Sequence, residues 1–367
     1  MSPAEFVTRV AYLGAGGAGS VPAFDSHDWP AVVGIAVQHR VGQLLHEALS
    51  SAPGGTVPEA DMRALEEQVL RSTATRLLCE STLGDVLRTL RPKGIELIVL
   101  KGPSVAHDLY PRPELRLYHD LDVLCRPADY AGLREALLAR GYTSAGTHER
   151  RGSHEQLAEK PSARESQQVR AFYDPSGEMK VEVHFDIFQL GLVDRHAEQL
   201  WAESRTRMAG DIEMRVLAPE HQFLQLAVHA HRHGYGRLSW LIELDLLVRR
   251  QKDPIDWKRT AVFAREEGVG PMLRHALATA HAVLGTPLPR LPAPTIEERC
   301  LGVFYRKLWP FGSTRGLNSR EHHRLLHFLP DDPDPRNYLY GLVLVGRRRE
   351  KLQALFRRLL TALSRGR

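Results

Sequence analysis

The 367 residues include 43% apolar and 25% charged residues, enough for two or three domains around a substantial core. A net charge of +5 and a pI near 9.1 suit an anionic ligand such as a nucleotide, and lack the dense basic stripe of a dedicated duplex binder. No apolar run reaches the roughly 18–20 residues of a membrane span, and the opening MSPAEFVTRVAYLGAGGAG lacks a signal-peptide pattern, so a cytoplasmic protein with no membrane partner is expected.

Cys79, Cys125 and Cys300 are scattered and odd in number, which excludes a disulfide framework or a cysteine metal site and fits a reducing compartment. Residues 27–50 have apolar spacing that predicts one helix, followed by turn formers in SSAPGGTVP. A long amphipathic helix is expected over 58–91, with Leu65, Leu70, Leu77, Leu83 and Leu90 among its apolar positions. The first 92 residues therefore read as a helical region.

The pattern changes at GIELIVLKG (94–102), a short β-branched run closed by glycine, which predicts a buried strand. PSVAHDLY (103–110) starts a helix with proline in its first turn, RLYHDLDVLCR (116–126) predicts a second strand, and 127–142 a second helix ending at Gly141. After the polar stretch 144–168, read as a loop or insertion, a hairpin is expected from 168–174 and MKVEVHFDIF (179–188). Residues 93–192 thus form an α+β core with a small mixed sheet. Beyond it, 193–367 is expected as a helical domain: a short helix at 194–206, then helices at 218–233, 237–250, 253–267 and from Gly270. The terminal stretch 347–367 alternates leucines with an arginine rim, and reads as a docked helix or a clamp for an acidic substrate.

Strand periodicity puts Asp120 and Asp122 on one face, where two like charges repel unless something positive sits between them. In MKVEVHFDIF the core residues Val181 and Val183 alternate with Glu182, His184 and Asp186. If the two strands lie side by side, Asp120, Asp122 and Glu182 converge, a donor set for Mg²⁺ or Mn²⁺. Asp186 is a fallback acid toward the strand end. The LKGPS turn offers Gly102 for close backbone approach, the Ser104 hydroxyl, and Lys101 and Arg116 as counter-charges for phosphate. His184 reads as a partner of Glu182, a phosphate contact or a structural histidine. His39 reads as a packing or capping residue. His229 and His233 have the i, i+4 spacing of a zinc pair, but no third ligand accompanies them.

The stretch LKGPSVAHDLYPRPELRLYHDLDVLCRPADYAGLREALLARGY resembles a family of bacterial nucleotidyltransferases in the DNA-polymerase-β-like superfamily. Lys101-Gly102, Tyr110, Arg116, Asp120, Asp122, Gly141-Tyr142 and Glu182-Val183-His184 follow that family's order, and the likeness runs over roughly 27–285. Pro103 departs from the small residue usual in the glycine turn, and Glu243 stands where relatives often have aspartate. The resemblance implies transfer of NMP from an NTP, with ATP favoured, to a hydroxyl of a small molecule or peptide. Asp120, Asp122 and Glu182 would hold the metal. Lys101, Gly102, Ser104, Arg116 and His184 would serve the nucleotide, and Glu243, ahead of Asp245, would be a general base. RNA is the rival acceptor, and a silent nucleotide-binding scaffold the rival of another class. Neither the acceptor nor the oligomeric state is legible in the sequence.

Overall fold

The computed structural model describes residues 1–23, 28–52, 57–144, 170–188, 196–249, 253–295 and 298. The expected polar insertion, the terminal helix 347–367 and Cys300 lie wholly or almost wholly outside the described residues. Among the described residues, no helix is long and apolar enough to cross a membrane, and Cys79 and Cys125 are buried free thiols.

Helix α1 (Pro3–Gly14), absent from the sequence expectations, starts at a reciprocal cap. The Glu5 N–H donates to Ser2 Oγ and the Ser2 N–H donates to the Glu5 carboxylate, satisfying two otherwise orphaned donors. The helix expected over 27–50 is two: α2 (Trp29–Gln38) and α3 (Gly42–Ser50). The break falls at Arg40, whose φ of 56° is left-handed and ends α2 without glycine or proline to announce it. Helix α4 (Glu59–Leu90) matches its expectation in length; Leu65, Leu83 and Leu90 are buried, whereas Leu70 and Leu77 face solvent.

The centre is a seven-stranded mixed sheet in the order β3-β4-β5-β2-β1-β7-β6. Its strands are β1 (Leu97–Val99), β2 (Asp120–Cys125), β3 (Thr143–Ser144), β4 (Arg170–Tyr173), β5 (Lys180–His184), β6 (Arg205–Ala209) and β7 (Ile212–Val216). Helices α5 (Pro103–Leu109) and α6 (Tyr130–Ala139) follow β1 and β2, and α7 (Ala197–Glu203) precedes β6. The β6–β7 hairpin was not anticipated. It turns through Gly210, at φ +58°, and Asp211, and β7 pairs in parallel with β1. The sheet therefore takes its last two strands from residues beyond 192.

Alternation along the strands divides the core in two. One face sends Val99, Leu121, Val123, Val181 and Val183 against Leu83 and Val86 of α4 and Leu133 and Leu137 of α6. The other sends Ile98 and Leu124 into a larger core with α1, α2, α3 and the helices α8 (Pro219–Arg232), α9 (Leu238–Arg249), α10 (Trp257–Glu266) and α11 (Gly270–Leu284). Asp120, Asp122, Glu182 and His184 occupy alternate positions to the first set, so they lie on the face turned toward the N- and C-terminal helices.

Candidate functional site

The pairing of β2 with β5 decides the site. The strands run parallel with Asp120 opposite Lys180, Asp122 opposite Glu182 and Leu124 opposite His184. Directly opposite positions share a face, so Asp122 and Glu182 meet. Among the described residues, Asp122, Glu182 and His184 are the group with one ligand atom each lying within 4.8 Å of one another. Asp120 stands one pleat away on the same face, opposite Lys180, and lies outside that group.

Asp122 is only 2% exposed. Its carboxylate accepts from His184 Nε2 at 2.8 Å and pairs with Lys101 Nζ at 3.0 Å. The β1–β2 ladder explains Lys101: the Leu100 N–H still donates to the Asp122 carbonyl at 3.0 Å, so the next residue leaves the sheet beside that carboxylate. Burial opposes the Asp122 charge, but Lys101 and His184 outweigh it and hold its carboxyl well below the usual range. Asp120 goes the other way: burial first, then the charge on Asp122, raise its carboxyl. Glu182 pairs with Lys180 and stands 3.8 Å from His184 Nε2. The carboxylates of Asp122 and Glu182 form a donor set that fits a divalent cation, and His184, whose Nε2–H donates to Asp122, stands beside them.

Other expected residues are placed differently. Arg116 and Glu243 are engaged with each other: Arg116 Nε donates to Glu243 Oε1 at 2.9 Å, with the side chains 8% and 3% exposed. Burial works against the Arg116 charge, and Glu243 more than offsets it. Ser104 is fully buried, its hydroxyl donating to the Lys101 carbonyl at 3.4 Å rather than facing a ligand. Gly102 serves the turn itself, with φ +62° and ψ −116°; an added Cβ would stand 3.4 Å from both the Asp120 carbonyl oxygen and the Tyr118 ring. Gly102→Ala is accordingly expected to cost about 1–3 kcal/mol, read as a lower urea midpoint at unchanged slope.

The fallback acids have local tasks. Asp186 accepts from the Phe188 N–H at 2.6 Å, and Asp245 accepts from Arg249 and Thr286. His229 and His233 pack on each other with centroids 4.7 Å apart, each 5.3 Å from Trp240. Low solvation, then the Lys101 charge, push His229 well below the usual histidine range. His39 is a capping residue as expected, its Nδ1 accepting from the Leu238 N–H.

Sequence reasoning passed over Arg40 and Arg237. Both are half-buried, and Asp120 acts on the charge of each. Burial and then the Arg40 charge push Arg237 down to about 10. The available signal was the pair of glycines, Gly234 and Gly236, that frees Arg237 from α8 and α9.

An α+β chain with acids and cations gathered on one sheet face has the makings of a phosphate-handling enzyme. The family described as "Uncharacterised nucleotidyltransferase" matches residues 25–285, and the chain belongs to that family; it is a nucleotidyltransferase. No curated protein matches the sequence significantly. Among solved structures, a similar one is an antigenic nucleotidyltransferase-like protein from Paracoccidioides brasiliensis, at 13% identity and a TM-score of 0.34, covering 61% of this chain and 95% of that one.

Proposed function

We propose that the protein moves NMP from an NTP, with ATP favoured, to a hydroxyl of a small molecule or peptide. The acceptor oxygen forms a bond to the α-phosphorus, the bond from that phosphorus to the β-bridging oxygen breaks, and pyrophosphate leaves with the electron pair. Glu182, whose side chain is 18% exposed, takes the acceptor proton. Asp120, Asp122 and Glu182, with His184 beside them, are assigned to Mn²⁺ or Mg²⁺, which supplies positive charge to the reacting phosphates when bound. Lys101, whose Nζ stands 3.0 Å from the Asp122 carboxylate, is assigned to the phosphates of the nucleotide. Arg116 and Glu243 are assigned to fixing α9 against the segment before β2.

The observation that carries this reading is the parallel register setting Asp122 opposite Glu182, in a chain of nucleotidyltransferase family. The Asp-x-Asp on β2 with a third acid on the adjacent strand also supports placement in the DNA-polymerase-β-like superfamily. Bacterial origin and a cytoplasmic setting belong to the same proposal.

The test uses NTPs labelled at the α- or γ-phosphate, Mn²⁺ or Mg²⁺, and a cell extract separated afterwards into small-molecule, protein and RNA fractions. Label from the α-position is expected in the small-molecule or protein fraction, with γ-label released as pyrophosphate. Transfer of γ-label would make the protein a kinase, and α-label in the RNA fraction would move the acceptor to RNA.

A further inference from the structure

We propose that Arg40 and Arg237 form an anion clasp for the phosphate groups of the nucleotide, one arm from the N-terminal helices and one from the C-terminal bundle. The identity of the anion rests on the nucleotidyl-transfer reading; the clasp rests on the geometry of the two arginines.

Arg40 occupies the left-handed position of a helix-ending turn. The Val41 N–H donates to the Ala36 carbonyl at 2.9 Å and the Arg40 N–H to the Val37 carbonyl at 3.1 Å, the bond pair in which glycine is the favoured residue. An arginine at φ 56° is held there against its own backbone preference, as residues at binding sites often are. The same turn docks on the loop carrying Arg237. The Leu238 N–H donates to His39 Nδ1 at 3.2 Å, and the Ser239 N–H to the His39 carbonyl at 3.4 Å. Two residues far apart in sequence are thereby fixed as neighbours.

The guanidinium of Arg237 lies 5.0 Å from the Trp240 ring centroid, which orients it without neutralising it. Among the described residues, neither Arg40 nor Arg237 has a carboxylate within ion-pairing distance, whereas the neighbouring Arg116 and Lys101 do. Asp120 is near enough to act on both charges but too far to pair with either. Two half-buried cations beside an acidic site, one depressing the other's basicity, are relieved by an anion with several oxygens. Guanidinium forks match phosphate in shape and charge.

Tripolyphosphate titrated calorimetrically into the full chain tests the clasp without requiring turnover. Arg40→Gln and Arg237→Gln should each weaken its binding about 10- to 100-fold, the range for a lost hydrogen bond to a charged group. Arg40→Gly provides a variant suited to the turn: it should fold at least as stably as the parent and still bind poorly. Arg112→Gln, at an exposed arginine paired with Glu47, should leave binding unchanged. Parental affinity in either Arg40→Gly or Arg237→Gln overturns the clasp. So does an equal loss in Arg112→Gln, which would report net charge alone, or a parent that does not bind tripolyphosphate. If the clasp variants lose tripolyphosphate while no α-label is ever transferred, the clasp stands and the nucleotidyl-transfer reading falls.

Discussion

Asp122→Asn is expected to abolish transfer and to destabilise the protein by about 3–5 kcal/mol, the usual loss when one partner of a buried ion pair is removed. Asn keeps the shape but not the charge. Lys101, 12% exposed, and His184, 1% exposed, then lose the carboxylate they surround. Asp120→Asn should abolish transfer as well, yet raise stability. Its carboxyl is raised by burial and by Asp122, so at neutral pH the ionised form opposes folding.

The pH dependence separates the two acids. A raised carboxyl penalises folding as pH climbs through the ordinary carboxylate range, so the gain from Asp120→Asn is present at neutral pH and disappears in acid. A depressed carboxyl stabilises above that range, and its contribution declines progressively as pH falls from the ordinary carboxylate range toward its lowered pKa, so the deficit of Asp122→Asn is full at neutral pH and shrinks across the acid range. Denaturant melts at several pH values, paired with the α-label assay, check both. Equal stability changes of the same sign in the two variants would contradict the pairing of Asp122 with Lys101 and His184.

Glu243→Gln is expected to cost about 3–5 kcal/mol by leaving Arg116 buried without its counter-ion. Arg116→Met should be comparably harmful, because Glu243 is 3% exposed and its Oε2 already has no hydrogen-bond partner. The double variant Arg116→Met/Glu243→Met should recover most of the loss, since apolar side chains of similar volume often replace a buried pair without penalty. Urea midpoints for the four proteins form a double-mutant cycle with a large coupling energy. Recovery of both stability and transfer assigns the pair to architecture; recovery of stability without transfer would return Glu243 to the chemistry.

Much of the β-core was readable because strands have a period of two. MKVEVHFDIF carries its valines and its polar residues on opposite faces whatever it pairs with, and HDLDVL must put Asp120 beside Asp122. The β6–β7 hairpin was equally local, with Gly210-Asp211 between two short alternating runs, but a helix expected over 194–206 covered its start. The break at Arg40 was not readable, because the residue that ends α2 is one with no preference for a left-handed backbone.

What the sequence by itself determined were the identities of the acids and their faces, since both follow from residue type and local period. Only the tertiary structure decided their partners. The parallel register brings Asp122 to Glu182, the exit of the chain from β1 sets Lys101 against Asp122, and the packing of α9 buries Glu243 on Arg116. The docking of the His39 turn on the Leu238 loop brings Arg40 to Arg237. Each of these joins segments distant in the chain, and a charge acquires its role from the field of whatever folds beside it, which no local pattern encodes.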